Sequence, residues 1–251
     1  MAYGNVSLTA GMRSNLITLQ QTNDLMERTQ TRLATGKKVN TALDDPVKYF
    51  AALGHTQRAN DLAYRKSDMN EAIQTIKAAS NGIDSISGLI ESARSLAQSA
   101  MSIDATGTQN LADREALSVQ FNEVMSQIDS LAGDSGYKGI NLLSSGSSLT
   151  VAYDENGSSS STVTGFDATS DGLTLNDADG SWATQGNVTA AIAELDTARD
   201  NLRTQTKSLT TSLSTITTRL DFTKNMINTL EDGAAKLTLA DMNEEGANML
   251  M

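Results

Sequence analysis

The chain lacks cysteine and has few aromatic residues, one proline and one histidine among its 251 residues. The absence of cysteine excludes disulfides, thiolate metal sites and cysteine nucleophiles. Aromatic residues make up only 4% of the chain, so we expect it to bury less apolar surface per residue than a typical enzyme does. A thick single core is therefore not expected, and shape is a better first hypothesis than a catalytic pocket.

Charge and hydropathy exclude further classes of protein. A net charge of −11 disfavours nucleic acid and anionic membranes as partners, and no Lys/Arg-rich stripe is evident. No run of about 18 apolar residues is present that would insert in a membrane. Residues 1–16 lack the basic-then-apolar layout of a secretory signal. We therefore expect a route out of the cell that needs no cleaved signal peptide.

A sustained heptad pattern runs from Val188 to Leu230. Positions spaced alternately three and four apart keep one narrow stripe facing a partner helix, which is typical of a coiled coil. Three polar residues, Arg199, Thr206 and Thr223, interrupt the stripe and either remain partly solvated or set the register with neighbouring subunits. The core positions that we predict here are Leu195, Leu202, Leu209, Leu213, Ile216, Leu220, Ile227 and Leu230.

Two further apolar stripes precede this long helix. The first is fully apolar and contains many small residues, which would let a partner helix approach closely. Together the three stripes predict a mainly α fold, a long antiparallel coiled-coil helical bundle, or rod, built from residues 46–132 and 188–232. The earlier core positions are Met69, Ile76, Ile83, Ile86 and Ile90 in the first helix, and Leu117, Phe121, Val124 and Ile128 in the second.

Residues 133–187 interrupt the helical pattern. Ser, Gly, Asp, Asn and Thr dominate this segment, and short alternating runs at 149–153 and 172–175 predict strands. We interpret it as a small, variable β-rich surface insertion with a flexible tip at 158–161, and disorder is the alternative.

The first 34 residues predict a polar helix. Its three-four register contains two amides, so the helix would be marginal alone in water, and we expect it to fold on assembly with other subunits. A connector follows at 35–45, with Gly36 as a C-cap, Asp45 as the N-cap of the next helix and Pro46 at its first position. The candidate assembly residues of the first helix are Leu16, Leu19, Asn23, Met26, Gln30 and Leu33.

The C-terminal segment, 233–251, predicts a second connector. Gly233 is expected to end the long helix, and Asp241 with Glu244 has capping-box spacing for a new helix. That helix would have only its first turns in this chain, too few to be stable alone.

Four segments resemble bacterial flagellin. Residues 32–46, RLATGKKVNTALDDP, look like the family's RLSSGxRINSAxDD signature, and residues 137–143, YKGINLL, are similar to its FNGxxLL. Residues 218–222 and 239–242 resemble the xNRLxxT and xDADxA segments near the family's C-terminus. The resemblance covers about residues 1–145 and 188–251, and the unmatched middle is where flagellins vary.

The resemblance implies a subunit that self-assembles into the extracellular flagellar filament for swimming motility. Its terminal helices would line the inner tube, with the rod outside them and the insertion in solvent. Expected partners are further copies of the chain, the flagellar export apparatus, the filament cap, hook-junction proteins and a flagellin chaperone. Family members continue beyond the position of Met251 with a helix that would pair with residues 1–34, so we expect a shortened C-terminal helix here and leave open whether the chain polymerises.

The resemblance also bears on recognition by a host innate immune receptor. Residues 91–100 resemble the segment that this receptor binds, and Arg94 and Leu96 match it. Ser92 stands where activating flagellins carry Arg, and Gln120 replaces a Glu on the neighbouring helix. Both changes remove charges, so we expect weak activation.

Alternatives to a filament subunit are a hook–filament junction protein, which the DDP at 44–46 also matches, and a secreted coiled-coil adhesin.

Catalysis has little support, and no cofactor or metal is expected. The only histidine, His55, falls on the extended heptad register, and the adjacent Asp44 and Asp45 suit capping better than acid–base work. A hydrolase in the insertion would need a motif such as H-E-x-x-H, and 133–187 contains no histidine.

Overall fold

A computed structural model describes residues 9–250 as a mainly α-helical chain with one small sheet, as predicted. The chain divides into two compact units, which we call the terminal unit (9–61 with 225–250) and the central unit (62–224). The elements are α1 (Ala10–Thr35), α2 (Pro46–Ser102), α3 (Thr108–Asp134), β1 (Ser148–Ala152), β2 (Ser160–Thr164), a 3₁₀ turn (Asp179–Trp182), α4 (Gln185–Thr238) and α5 (Met242–Leu250).

Helix α1 has the start and stop signals that its sequence predicts. Thr9 is its N-cap, and the Thr9 hydroxyl accepts a hydrogen bond from the Met12 N–H at 3.4 Å. Gly36 ends the helix in the left-handed conformation at φ 67°, which a residue without Cβ adopts at little cost. Residues 1–8, which the sequence assigned to the same helix, lie outside the described residues.

The connector after α1 pairs with the chain that follows α4 in the terminal unit. The backbone N–H of Lys38 donates to the carbonyl of Thr238 at 2.7 Å, and Ala240 N–H donates to the Gly36 carbonyl at 3.0 Å. Asp45 then caps α2, since its carboxylate accepts from the Lys48 N–H at 3.1 Å. These bonds satisfy backbone groups that helix ends would otherwise leave without partners.

Helix α4 runs to Thr238, so the prediction that Gly233 ends it was wrong. Gly233 does not adopt a positive φ, and Ala234 and Ala235 after it favour continuation of the helix. A glycine inside a helix is tolerated at a modest cost. A Cβ at this position would lie 3.8 Å from Cδ2 of the half-buried His55, which is an ordinary van der Waals contact, so the packing here does not require a glycine.

The core of the central unit is a single cluster of buried side chains from α2, α3, α4 and the insertion. Its α2 side contains fully buried alanines, Ala79, Ala93, Ala97 and Ala100. Small side chains at regular spacing allow neighbouring helices to approach closely. Most residues of this core therefore lie on the apolar stripes that the heptad spacing of the sequence predicted.

The insertion forms a two-stranded antiparallel sheet in which Ser148 pairs with Thr164 and Ala152 with Ser160. The predicted strand at 149–153 is confirmed within one residue. The predicted flexible tip at 158–161 was wrong in part, because residues 160–164 form β2. The run Thr162-Val163-Thr164 is β-branched, which favours a strand, and Val163 opposite Leu149 lies in the core.

Residues 172–175 form a turn, so the second predicted strand was wrong. The N–H of Thr174 donates to the Asp171 carbonyl at 3.0 Å and that of Leu175 to the Ser170 carbonyl at 2.8 Å. The Thr169 hydroxyl also accepts from the Gly172 N–H at 3.2 Å. Such local hydrogen bonds to Ser, Thr and Asp compete with a strand ladder, although Leu173 and Leu175 are still buried.

Candidate assembly surfaces

Helix α1 exposes most of the apolar residues predicted as assembly positions. Leu19 is 66% exposed and Met26 47% exposed, while Leu33 is partly buried. The predicted positions Leu16, Asn23 and Gln30 are also exposed, and Thr29 is the only buried residue of the helix. Further exposed apolar residues on α1 are Met12, Ile17 and Leu25. Apolar side chains exposed in such number mark an interaction surface.

Helix α5 packs against α1 in the terminal unit. Arg32 Nη1 lies 2.9 Å from Glu245 Oε1, and the Glu245 side chain is only 3% exposed. The second carboxylate oxygen of Glu245 is buried and has no hydrogen-bond partner among the described residues. Removing Arg32 would leave the carboxylate of Glu245 buried and unpaired, which is costly. This ion pair therefore fixes how the two helices meet.

The adjacent carboxylates Asp44 and Asp45 both serve the backbone, which agrees with the capping interpretation. Asp44 Oδ2 accepts hydrogen bonds from Thr41 N–H at 2.9 Å and Asn40 N–H at 3.0 Å. These bonds, that from Thr41 first, hold the pKa of Asp44 below its usual value. The pKa of Asp45 is lowered mainly by the N–H of Lys48.

The described residues contain no group of three or more His, Asp or Glu side chains arranged to hold a metal ion. Within the same part of the chain, no helix is both long and apolar enough to cross a membrane.

The predicted core positions of the heptad stripes are inward-facing. Leu117, Val124 and Leu213 are partly buried and pack against the central cluster. Among the polar interruptions, Thr223 is buried, Thr206 is half-buried, and Arg199 lies 3.4 Å from Asp196 of its own helix. The buried predicted positions are Met69, Ile76, Ile83, Ile86, Ile90, Phe121, Ile128, Leu195, Leu202, Leu209, Ile216, Leu220, Ile227 and Leu230.

The residues of the receptor-like segment fall into two groups. Ser92 and Gln120 are exposed and uncharged. Arg94 is instead engaged with α4, with its Nη1 2.8 Å from Asp196 Oδ1, and Leu96 is half-buried against the core. The structure therefore leaves Arg94 and Leu96 only partly accessible to a partner.

Sequence reasoning missed Arg114, which is fully buried at the junction of three helix ends in the central unit. Its guanidinium donates to the Thr184 carbonyl at 2.9 Å, the Ile103 carbonyl at 3.3 Å and the Gln185 side-chain oxygen at 3.4 Å. The cation lies just beyond the C-terminal, negative end of α2. Its signal in the sequence was its position as the only basic residue of α3.

The second missed residue is Trp182, which is fully buried in the central unit. Its ring centroid lies 4.8 Å from that of Phe121 in a tilted arrangement, a favourable geometry for aromatic pairs. A single tryptophan inside a Gly- and Asp-rich segment was the available signal. It shows that the insertion contributes to the helical core as well as to the surface.

The fold and these surfaces define a helical protein with a closely packed core and one helix, α1, whose exposed apolar side chains would be buried against partner helices. The family model of the bacterial flagellin N-terminal helical region matches residues 7–148. The chain therefore belongs to the flagellin family, as its sequence predicted.

Similar proteins from other bacteria agree with this membership. The chain is 26% identical over 250 residues to flagellin FljM of Caulobacter vibrioides, with 99% of this chain and 89% of that protein covered. It is 25% identical over 125 residues to a flagellin of Listeria monocytogenes, with 50% of this chain and 42% of that protein covered.

A solved structure shows the same fold. The crystal structure of Bacillus cereus flagellin has a TM-score of 0.52 at 20% identity and covers 62% of this chain and 88% of that chain. The family to which the chain belongs is one of structural proteins.

Proposed function

We propose that the chain is a structural subunit that polymerises into the extracellular filament of the bacterial flagellum and so serves swimming motility. The observation that carries this proposal is the exposed apolar face of α1, from Met12 to Met26. A soluble helix of this kind gains most of its stability from burial against other helices. Copies of the same helix on neighbouring subunits are the partners that a filament supplies.

The subunits would associate through heterologous contacts, in which one surface of a copy meets a different surface of the next. Contacts of this type do not close on themselves when the rotation between copies fails to complete a ring, and they generate helical filaments. Because α1 is almost wholly exposed in one copy, burying its apolar side chains at a growing end would couple its stability to assembly.

The proposal extends to the partners that such a subunit needs. These are the flagellar export apparatus, which would accept the chain without a cleaved signal peptide, the filament cap, the hook-junction proteins and a flagellin chaperone. The exposed apolar side chains of α1, such as Leu16 and Leu19, are surfaces that a chaperone would cover before export.

Electron microscopy of the purified full chain tests the proposal. We expect helical filaments from the unaltered protein and none from Leu16→Asp with Leu19→Asp, because charges on α1 would be buried against a neighbouring copy. Gln20→Asp with Gln21→Asp is the matched control, since both residues are exposed polar positions on the same helix. Failure of the unaltered chain to form filaments, or normal filaments from the leucine variant, would refute the proposal.

We further propose weak activation of the host innate immune receptor. Ser92 and Gln120 provide no charge at their exposed positions, and Arg94 is already paired with Asp196. A receptor reporter assay should give a low response to the unaltered chain and a higher one to Ser92→Arg with Gln120→Glu. Ser67→Arg, at an exposed position of α2 outside residues 91–100, is the control, and a full response to the unaltered chain would contradict the proposal.

A further inference from the structure

Helix α3 presents a face on which apolar and acidic side chains alternate. Leu111, Glu115, Val119 and Glu123 are spaced four apart, so they lie on one side of the helix. All four are exposed, and Val119 is 62% exposed. Neither glutamate forms an ion pair within residues 9–250. We call this face the acidic stripe, and within one copy nothing among the described residues neutralises its charge.

Helix α4 carries a stripe of the opposite sign. Arg199, Arg203 and Lys207 are also spaced four apart and form what we call the basic stripe. Arg203 Nη1 lies 3.7 Å from Asp200 Oδ1, with 64% of the arginine side chain exposed. Exposed pairs within one helix contribute little, so the guanidinium remains available to a neighbour. Arg199 is likewise paired within the helix, with its Nη2 3.4 Å from Asp196 Oδ1, whereas no ion pair to Lys207 is present among the described residues.

The charged parts of the two stripes match in length, and the two stripes run in the same direction. Glu115 to Glu123 and Arg199 to Lys207 each span eight positions, or about 12 Å at the rise of an α-helix. Arg114 near the start of α3 donates to Thr184 and Gln185 at the start of α4, so the N-terminal ends of the two helices lie together. Both helices then contribute side chains to the same core. Since they start together and pack along one core, they run in the same direction. Within the described chain no ion pair joins the stripes to each other.

We propose that the acidic stripe of one copy binds the basic stripe of a neighbouring copy, as a lateral contact between subunits. This inference rests on the proposed function, because it names the residues through which subunits of a filament meet. Neighbours related by rotation about a common axis present the stripes in parallel, without inversion of either copy. Each contact leaves one stripe of each sign free on the two copies, so further copies add by the same pairing.

The apolar members of the acidic stripe give the contact a second component. Leu111 and Val119 would lose their exposed surface when the two helices meet, which stabilises the contact in proportion to the area buried. Complementary charges around them would guide the encounter and disfavour the wrong pairing of like stripes. The outcome is a contact that is selective for one relative orientation of two copies.

Charge reversal in the full chain tests the contact. The first variant is Glu115→Lys with Glu123→Lys, the second is Arg203→Glu with Lys207→Glu, and the third combines all four changes. We expect each of the first two to elongate on filament seeds on the order of tenfold more slowly than the unaltered chain. The combined variant restores opposite charges between its own copies, so we expect it to recover elongation on seeds of itself.

Two comparisons keep the outcomes distinct. Asp84→Lys with Glu91→Lys makes the same charge change at exposed positions of α2 and should elongate normally. Glu115→Gln with Glu123→Gln should elongate slowly and with a weaker dependence on ionic strength than the unaltered chain, because screening then acts on fewer charges. Circular dichroism of each monomer shows whether the helices are retained. If a charge-reversal variant fails to fold, the neutral glutamine variant is used to test the contact instead.

Normal elongation by either reversal variant, failure of the combined variant to recover, or equal loss in the α2 control would overturn the stripe pairing. The proposed function would stand in each of these cases, since the unaltered chain still forms filaments. Absence of filaments from the unaltered chain would instead overturn the proposed function and the stripe pairing with it.

Discussion

At the scale of single residues, Arg114 links the ends of three helices, and its acceptors among the described residues include no carboxylate. Its acceptors are two backbone carbonyls and one side-chain amide, and its Nε has no hydrogen-bond partner among the described residues. When a buried cation is stabilised by carbonyl and amide oxygens alone, its stability depends on how many N–H groups it donates and on their geometry. The local structure at the start of α3 therefore depends on the shape of this side chain as well as on its charge.

Replacement of Arg114 by Met should lower the free energy of unfolding by about 3 kcal/mol, since three hydrogen bonds from a buried charged donor are lost. Arg114→Lys should recover little of this loss, because one ammonium cannot reproduce the planar fork. Urea unfolding followed by circular dichroism measures both changes. Arg203→Met, at an exposed position of α4, is the control, and an equal effect there would argue against a special role for Arg114.

Phe121→Ala should destabilise the central unit by about 4 kcal/mol. The ring is buried against Trp182, so its removal loses transfer free energy and leaves a cavity. The same unfolding measurement applies, with Val119→Ala on the exposed face of α3 as the control. A loss below about 1 kcal/mol would mean that neighbouring side chains collapse into the space.

At the scale of elements, the connector before α2 depends on the ionisation of Asp44. The pKa of Asp44 is lowered in the folded chain by the N–H groups of Thr41 and Asn40, so this carboxylate stabilises the fold at pH values above its unfolded pKa of about 4. The stabilisation is lost as the pH falls through the lowered folded value. The connector should therefore weaken in acid and not in base.

The variant Asp44→Ala should be less stable than the unaltered chain at pH 7, and the difference should shrink as the pH falls below about 4. Thermal unfolding at a series of pH values measures this. Asp232→Ala, at an exposed position of α4, provides the comparison. A difference between Asp44→Ala and the unaltered chain that is the same at pH 7 and in strong acid would contradict this assignment.

Periodicity predicted the helices well because the pattern of apolar residues and the fold share the same physical cause, burial of one face. The stripes through Ile76, Ile128 and Leu202 needed no tertiary information to be found. The turn at 172–175 could not be predicted from alternation, because hydrogen bonds to Thr169 and Ser170 decide it. Gly233 was misjudged because a glycine ends a helix only where it adopts a positive φ, and Gly233 keeps a helical one.

The candidate site was predictable in part. The exposure of the apolar residues of α1 could be anticipated, because two of the positions in its three-four register are amides and the helix therefore has no continuous apolar stripe to bury within one subunit. The Arg32–Glu245 ion pair could not, because it joins residues 213 positions apart, and a single sequence carries no signal for such a distant pairing. Arg114 was missed for the same reason, as its acceptors on α4 lie some 70 positions away.

At the scale of the whole molecule, the two units differ in how much of their helical surface is buried. Helix α1 buries only Thr29, whereas the α2 segment of the central unit has fully buried residues along its length, such as Ile76, Ile83 and Ile90. Backbone hydrogen bonds open more readily where few apolar contacts hold a segment in place. The monomer should therefore open locally in α1 long before the central unit unfolds.

Hydrogen exchange should show fast exchange of α1 amides in the monomer and slow exchange of amides around Ile83. In filaments, protection of α1 should rise as its apolar face becomes buried, while protection of the central core changes little. Mass spectrometry of peptides from both states measures this. Equal protection of α1 and the central core in the monomer, or unchanged α1 protection in filaments, would count against assembly-coupled stabilisation.

Trp182 has a practical consequence, since it is the only tryptophan of the chain and lies fully buried beside Phe121. Intrinsic fluorescence excited at the indole band thus reports on the central unit alone, while far-ultraviolet dichroism reports on all helices together. During denaturation, a loss of dichroism that precedes the red shift of the emission would record the opening of α1. The chain thus carries its own optical label, which distinguishes the unfolding of one part from that of the other without any added dye.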